Sequence, residues 1–196
     1  MRAYTIALAA TWVASIVDAT IPSFWLLVHP FHRWWRARSS TALKLLATLW
    51  ILLWAVAAAL TWPLLFRTLY QGWWSWVAGS LFWAAGLWVY ASAMQSFSLE
   101  QLFGVPELRP QRGEQRLVAS GIRGRLRHPI YTGHLLLLAG NCAASGLIAN
   151  YLLFAWFLLT LPLMLRFEER ELEQRFGEAY REYKRRVPAI IPRAGR

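Results

Sequence analysis

The chain has 196 residues, 57% of them hydrophobic, with 13 tryptophans and only 16% charged residues, where a soluble domain averages about 25% charged. Apolar residues gathered in long runs exclude an ordinary soluble globule and point to a polytopic membrane protein. The formal net charge of +11 matches the surplus of Lys and Arg that membrane proteins keep on cytoplasmic segments, so no nucleic-acid partner is expected, and the single Cys142 excludes an intrachain disulfide framework.

A spanning helix needs about 20 mostly apolar residues. The first candidate is Ala3 to Val28, interrupted by Asp18 and Pro22; it is too long for a signal-peptide core. The second is Ala42 to Phe66 and the third Trp73 to Met94. A polar, charged stretch follows from Ser96 to Arg127. Then come 34 residues without formal charge, Thr132 to Leu165. A straight helix of that length reaches about 51 Å against a hydrocarbon core of about 30 Å. Ser145, Gly146 and Asn150 near its middle suit a turn, so the reading is a tight helical hairpin.

Charge gives the orientation. With the N-terminus outside, the inner segments are Phe31 to Lys44, Ser96 to Arg127, and Arg166 to the end. They hold 4, 6 and 9 Lys or Arg, or 19 of the 21. Both flanks of the hairpin are basic, which requires an even number of crossings between them. The expectation is an all-α protein of a bacterial inner membrane with five transmembrane helices, N-terminus out and C-terminus cytoplasmic. Residues 1–95 form three N-terminal helices. Residues 96–196, with the polar loop, the hairpin and the tail, are integrated with them into one domain. Trp62, Trp73, Trp74 and Trp76 fall at the outer interface and Trp34 and Trp35 near the inner one, as aromatic belts do.

The tail from Arg166 reads as an amphipathic cytoplasmic helix. Leu172, Phe176, Ala179, Tyr183 and Val187 share one face. Glu168, Glu169, Glu171 and Glu173 crowd its first turns and Lys184, Arg185 and Arg186 its last, an order that suits the helix macrodipole. Gly177 in mid-helix implies that something approaches it closely, because a helical Gly costs up to about 1 kcal/mol against Ala. Pro188 and Pro192 end the helix.

No phosphate-binding loop, dinucleotide fingerprint or paired-Cys metal motif is present, and no metal is expected. His29, His32, His128 and His134 have no metal-ligand spacing, and His29 and His32 sit in a basic loop where a solvated side chain is the default. Asp18 is an acid inside a span, a functional hypothesis in itself; it should be met by a partner helix or line an acceptor cavity.

Two segments carry a pattern. The first runs Leu117-Val118-Ala119-Ser120-Gly121, then Arg127-His128-Pro129-Ile130-Tyr131-Thr132-Gly133. The second runs Glu168-Glu169-Arg170-Glu171-Leu172, then Phe176-Gly177-Glu178-Ala179-Tyr180 and Tyr183, closing on Val187-Pro188 and Ile191-Pro192. In this order, across residues 115 to 193, they closely resemble the isoprenylcysteine carboxyl methyltransferase family, relatives of the membrane phospholipid N-methyltransferases. The resemblance implies S-adenosylmethionine as cofactor, lined by Gln115, Arg116, Leu117 and Val118, by His128, Pro129, Ile130 and Tyr131, and by Glu168. Glu169 and Tyr180 complete the expected cofactor set. Arg127 and Glu168 are the expected catalytic residues.

The residue types fit that cofactor. A carboxylate suits its ammonium or ribose hydroxyls, Arg or His its carboxylate, and the tyrosines offer hydroxyls and π faces. Two positions depart from the family. Met164 stands where its carboxyl methyltransferases place the Arg that binds the acceptor carboxylate, and Arg123 stands where an aromatic Tyr is usual. Arg166 is offset by two residues and points to another helix face. The expected acceptor is a lipophilic small molecule or a lipid, and membrane lipids are the other partner. Carboxyl O-methylation is most like the family; N- or S-methylation, or a non-catalytic or reductase-like relative, are the alternatives.

Overall fold

Residues 2–95 and 117–192 are described by the computed structural model, and they fold as helices joined by turns. In lipid no water satisfies backbone amides and carbonyls, so apolar stretches close their hydrogen bonds internally as helices. In chain order these are α1 (Arg2–Val28), the short α2 (His32–Arg36), α3 (Ser39–Thr61), α4 (Trp73–Met94), α5 (Pro129–Ser145), α6 (Ile148–Phe176) and α7 (Glu178–Arg186). Four of them, α1, α3, α4 and α6, are long and apolar enough to cross a membrane. With 17 residues, α5 is about 25 Å long, just short of that measure. Side chains such as Ile51, Leu60, Trp73, Leu81 and Leu159 are 60–80% exposed, as lipid-facing residues are in a chain taken out of its bilayer.

The expected hairpin is present, with α5 and α6 as its arms. Its turn lies at Gly146, which has φ +63 and closes α5 by donating to the Cys142 carbonyl. A side chain here would also strike the Tyr70 carbonyl, 2.6 Å from an ideal Cβ. The loop between α3 and α4 clasps this tip. The Leu69 amide donates to the Gly146 carbonyl at 2.8 Å and the Ile148 amide to the Arg67 carbonyl at 3.0 Å. The Tyr70 hydroxyl reaches the Cys142 and Ala143 carbonyls, both at 3.1 Å.

Two kinds of contact hold the helices together. Between α4 and α5 the contact is a glycine seam. Gly79 and Gly86 face Gly140 and Gly133, and an ideal Cβ on Gly79 would sit 2.8 Å from the Gly140 carbonyl oxygen. Small residues let helices approach where lipid supplies no hydrophobic drive. Against α1 the contact is polar. Asn141 donates to Ser15 at 3.1 Å and accepts from Trp83 Nε1 at 3.0 Å, and Asn150 donates to Thr11 at 3.2 Å. These pairs tie α1, α4, α5 and α6 around a shared core that includes Leu138, Leu147, Phe157 and Met164.

The tail differs from the sequence reading. No helix starts near Arg166; α6 runs unbroken from the hairpin turn to Phe176. The glutamates therefore lie towards a helix C-terminus, where the macrodipole opposes them, and cations from other segments must offset it. Gly177 is the break and not a point of close approach. It has φ +58, and no atom lies within 4 Å of an ideal Cβ there. Glycine is required for its backbone, and α7 is a separate nine-residue helix.

The glycine seam is testable. Gly79→Ala places its methyl 2.5 Å from Ala144 Cβ and 2.8 Å from two backbone atoms, and overpacking of this kind costs about 1–3 kcal/mol. Thermal unfolding in detergent should show a midpoint several degrees lower than wild type. An unchanged midpoint would contradict the close approach of α4 and α5.

Candidate active site

The site forms where the hairpin mouth meets the tail. His128 precedes Pro129, and a residue before proline is pushed out of the helical region; it has φ −121 and ψ 61. Pro129 is pre-set for the first helical position. The extended strip Val187 to Ile190 lies along this entry. The Arg127 amide donates to the Pro188 carbonyl at 2.9 Å, the His128 amide to the Ala189 carbonyl at 3.0 Å, and Thr132 Oγ1 to the Ile190 carbonyl at 3.0 Å. The two motif segments are thereby bonded to each other through their backbones.

Glu169 is the focus of the charges. Arg127 donates to its Oε1 from Nε at 3.0 Å and from Nη2 at 2.6 Å. His128 Nε2 lies 3.2 Å from the same oxygen, and Lys184 Nζ lies 2.8 Å from Oε2. Arg127 also donates from Nη1 to the carbonyls of Lys184, at 3.1 Å, and Val187. The Arg127 and Glu169 side chains are only 10% and 11% exposed, so this pair is worth far more than a surface one. Burial alone would lower the His128 pKa, but Glu168 and Glu169 outweigh it and raise it above the ordinary value. The Lys184 pKa is raised by its bonds to Glu169 and Glu173.

Glu168 is placed differently. Its Oε2 is buried and stands 3.4 Å from His128 Nδ1, but makes no hydrogen bond among the described residues. Tyr180 is 1% exposed, packed with Tyr183 and Val187 against Leu117, and its hydroxyl is likewise buried without a hydrogen-bond partner among the described residues. Burial raises its pKa, with the Glu169 and Glu168 charges adding to the effect, so it is a neutral donor. Tyr131 is buried in the core against α6, and its ring leans on His128 at 6.1 Å. Pro129 is buried, and Val118 and Ile130 are partly exposed. Gln115 and Arg116 lie outside the described residues.

Of the expected residues, then, Arg127, His128, Glu168, Glu169 and Tyr180 come together, with Leu117 beside Tyr180. The sequence reading missed Lys184, whose role shows only when α7 folds back on α6. It also left His29 in solvent. The structure buries His29, stacks it on Trp25 at 5.1 Å and sets its Nδ1 2.9 Å from Glu171 Oε2. The crowding of Glu168, Glu169, Glu171 and Glu173 into one short stretch was the available signal that each needed a cation. Asp18 is met by a partner helix, as one of the two expectations had it: its Oδ1 is 3.0 Å from His134 Nδ1 on α5.

The chain belongs to the phospholipid methyltransferase family, whose sequence profile matches residues 74–179, and it is isoprenylcysteine carboxyl methyltransferase-like. It is 42% identical over 69 residues to methanethiol S-methyltransferase 2 of Bradyrhizobium diazoefficiens, covering 35% of this chain and 26% of that protein. It is 37% identical over 83 residues to the cobalt-zinc-cadmium resistance protein CzcN of Cupriavidus metallidurans, covering 42% and 38%. It is 34% identical over 77 residues to the protein-S-isoprenylcysteine O-methyltransferase of Schizosaccharomyces pombe, covering 39% and 33%. The matches thus span well under half of each relative. No solved structure matches the chain.

Glu168 and Glu169 have unequal tasks, and two variants separate them. Glu169→Gln strands three cations and should cost about 3 kcal/mol or more, the cost of breaking a buried pair. It should also free the tail, read as faster tryptic cleavage in α7. Glu168→Gln should shift stability by less than about 1 kcal/mol. Equal loss in both variants would contradict the division.

Proposed function

We propose that the protein is an integral membrane methyltransferase that uses S-adenosylmethionine and transfers its methyl group to a lipophilic small molecule or lipid. The observation that carries this reading is a pair of buried polar atoms at the hairpin mouth that make no hydrogen bond among the described residues: Glu168 Oε2, with the His128 imidazole 3.4 Å away, and the Tyr180 hydroxyl. A buried polar atom without a partner is costly unless a ligand meets it. An acceptor oxygen and a neutral donor that feel each other's charge fit a ligand with an ammonium and hydroxyls. The cofactor supplies an electrophilic methyl group on a sulfonium.

The chain's own residues bind and orient. Glu168 accepts from the cofactor's ammonium or ribose hydroxyls. His128, with its raised pKa, supplies a cation for its carboxylate. Arg127, already committed to Glu169 and two carbonyls, is the positioning residue that holds the entry segment against the tail. The low exposure of these groups keeps water from the reacting centre, where an in-line transfer needs acceptor and methyl carbon about 3–3.5 Å apart.

The topology we propose has five crossings, with α5 and α6 as a short hairpin, the N-terminus outside and the C-terminus cytoplasmic. The charge bias of 19 of 21 Lys and Arg on inner segments supports it. The cofactor then enters from the cytoplasm and the acceptor from the inner leaflet, between helices. The region from residue 96 to the end is, in this reading, the catalytic part of a single domain, and its described residues 117–192 contact the first three helices.

A carboxylate acceptor fits poorly. Met164 is fully buried in the core with Tyr131, Leu161 and Leu165, and Arg166 is exposed on another face of α6. On α6 itself, the positions three and four residues to either side of Met164 hold no Lys or Arg to receive a carboxylate.

Titration calorimetry in detergent tests the cofactor assignment. Glu168→Gln and His128→Ala should each weaken S-adenosylmethionine binding tenfold or more, about 1.4 kcal/mol. Wild-type affinity in both variants would remove the assignment.

A further inference from the structure

A second pair of ionisable groups lies deeper in the bundle. Asp18 Oδ1 on α1 stands 3.0 Å from His134 Nδ1 on α5, with side chains 14% and 10% exposed. His134 is six residues beyond His128, about 9 Å along the helix. It shares one face of α5 with Tyr131, Leu138 and Asn141, the face that turns to α1. The pair therefore sits on the membrane side of the site, where the acceptor would arrive.

Ionisable groups inside a membrane are costly and are kept for function. The surroundings show what is there to titrate. From α4, Tyr90 sets its ring edge-on to His134 at 5.3 Å. On α5, Tyr131 and His128 lie one and two turns towards the mouth. Between Leu152 and Leu165, α6 has no ionisable residue, and between Leu45 and Thr61, α3 has none. No Lys or Arg faces the pair from these stretches.

The geometry of the pair is that of an oriented base. With Nδ1 donating to the Asp18 carboxylate, Nε2 carries the free lone pair, and among the described residues it makes no hydrogen bond. Such an arrangement holds the imidazole in one tautomer and stabilises the imidazolium that forms.

We propose that His134, oriented by Asp18, is the general base that deprotonates a neutral lipophilic thiol acceptor. This rests on the methyltransferase reading above. A carboxylate acceptor would arrive already ionised and would need a cation, and α3 and α6 bring no Lys or Arg to the pair. A thiol is acidic enough to pass its proton to an oriented imidazole, and an alkanol is not. The S–H bond breaks and its proton passes to His134 Nε2. The electron pair left on the acceptor sulfur forms the bond to the donor's methyl carbon. The carbon–sulfonium bond breaks, its electrons staying on the donor sulfur, now a neutral thioether. The imidazolium, paired with Asp18, returns its proton to solvent after release.

Two measurements on the full-length protein in detergent test this. In cofactor-free, 15N-histidine-labelled protein at pH 7.5, the signal lost in His134→Gln should be that of a neutral Nδ1–H tautomer with a bare Nε2. A doubly protonated ring would overturn the proposal. Transfer of labelled methyl from S-adenosylmethionine is then measured with 1-decanethiol, 1-decanol and decanoic acid as probes. The thiol should be methylated and the others not. His134→Gln should lower the rate with thiol a hundredfold or more at pH 7, with part of that loss recovered at pH 9.5, where more of the thiol is already ionised. Asp18→Asn should lower it tenfold or more, with unchanged cofactor affinity. Methylation of decanoic acid in preference to the thiol, of none of the probes, or an equal loss in His134→Gln at both pH values, would overturn the thiol–base proposal while leaving cofactor binding intact. Absence of S-adenosylmethionine binding to the wild type would instead overturn the methyltransferase reading and this proposal with it.

Discussion

Glu169 is shared by three basic groups from two parts of the chain: the adjacent Arg127 and His128 at the entry to α5, and Lys184 on α7. Without that carboxylate the hairpin mouth would hold uncompensated positive charge, and nothing would draw the tail across it. The desolvation cost of burying such ions is recovered only when geometry is good and remaining donors are satisfied. Here Arg127 uses its remaining donors on tail carbonyls, so the charge lock also fixes the backbone of residues 184–187. Positions far apart in sequence become one wall of a site.

The lock explains why a helix keeps glutamates close to its C-terminus. The macrodipole opposes them there, and each is answered from outside α6: Glu169 by Arg127, Glu171 by His29 and Glu173 by Lys184. Glu168 alone keeps a buried oxygen without a hydrogen bond among the described residues. In the function proposed, stability and ligand binding are thus divided between adjacent residues on one helix. The same division recurs deeper, where Asn141 and Asn150 tie helices together while the Asp18–His134 pair keeps one nitrogen unused.

Much of this was legible in the sequence because membrane spans obey few rules. Apolar runs gave the helices, and the third candidate, Trp73 to Met94, has the same bounds as α4. A 34-residue run too long for one span, with Gly146 near its middle, gave the hairpin. The motif residues Arg127, His128, Glu168, Glu169 and Tyr180 do converge. What could not be read was direction across helices. Periodicity shows that Gly79, Gly86, Gly133 and Gly140 lie seven apart in pairs, but not that the pairs face each other. The tail was misread because a charge gradient that suits a new helix also suits the end of an old one once cations arrive from elsewhere. Gly177 looked like a packing constraint and is a backbone one.

The central claim is that the entry segment before α5, the glutamates of α6 and the returning tail form one binding wall. Backbone hydrogen exchange of the detergent-solubilised protein, read by mass spectrometry with and without saturating S-adenosylmethionine, tests this directly. The account predicts added protection in peptides covering residues 117–131 and 168–190 together, with little change in α3. Protection confined to residues 2–95, or none in either segment at saturation, would contradict it.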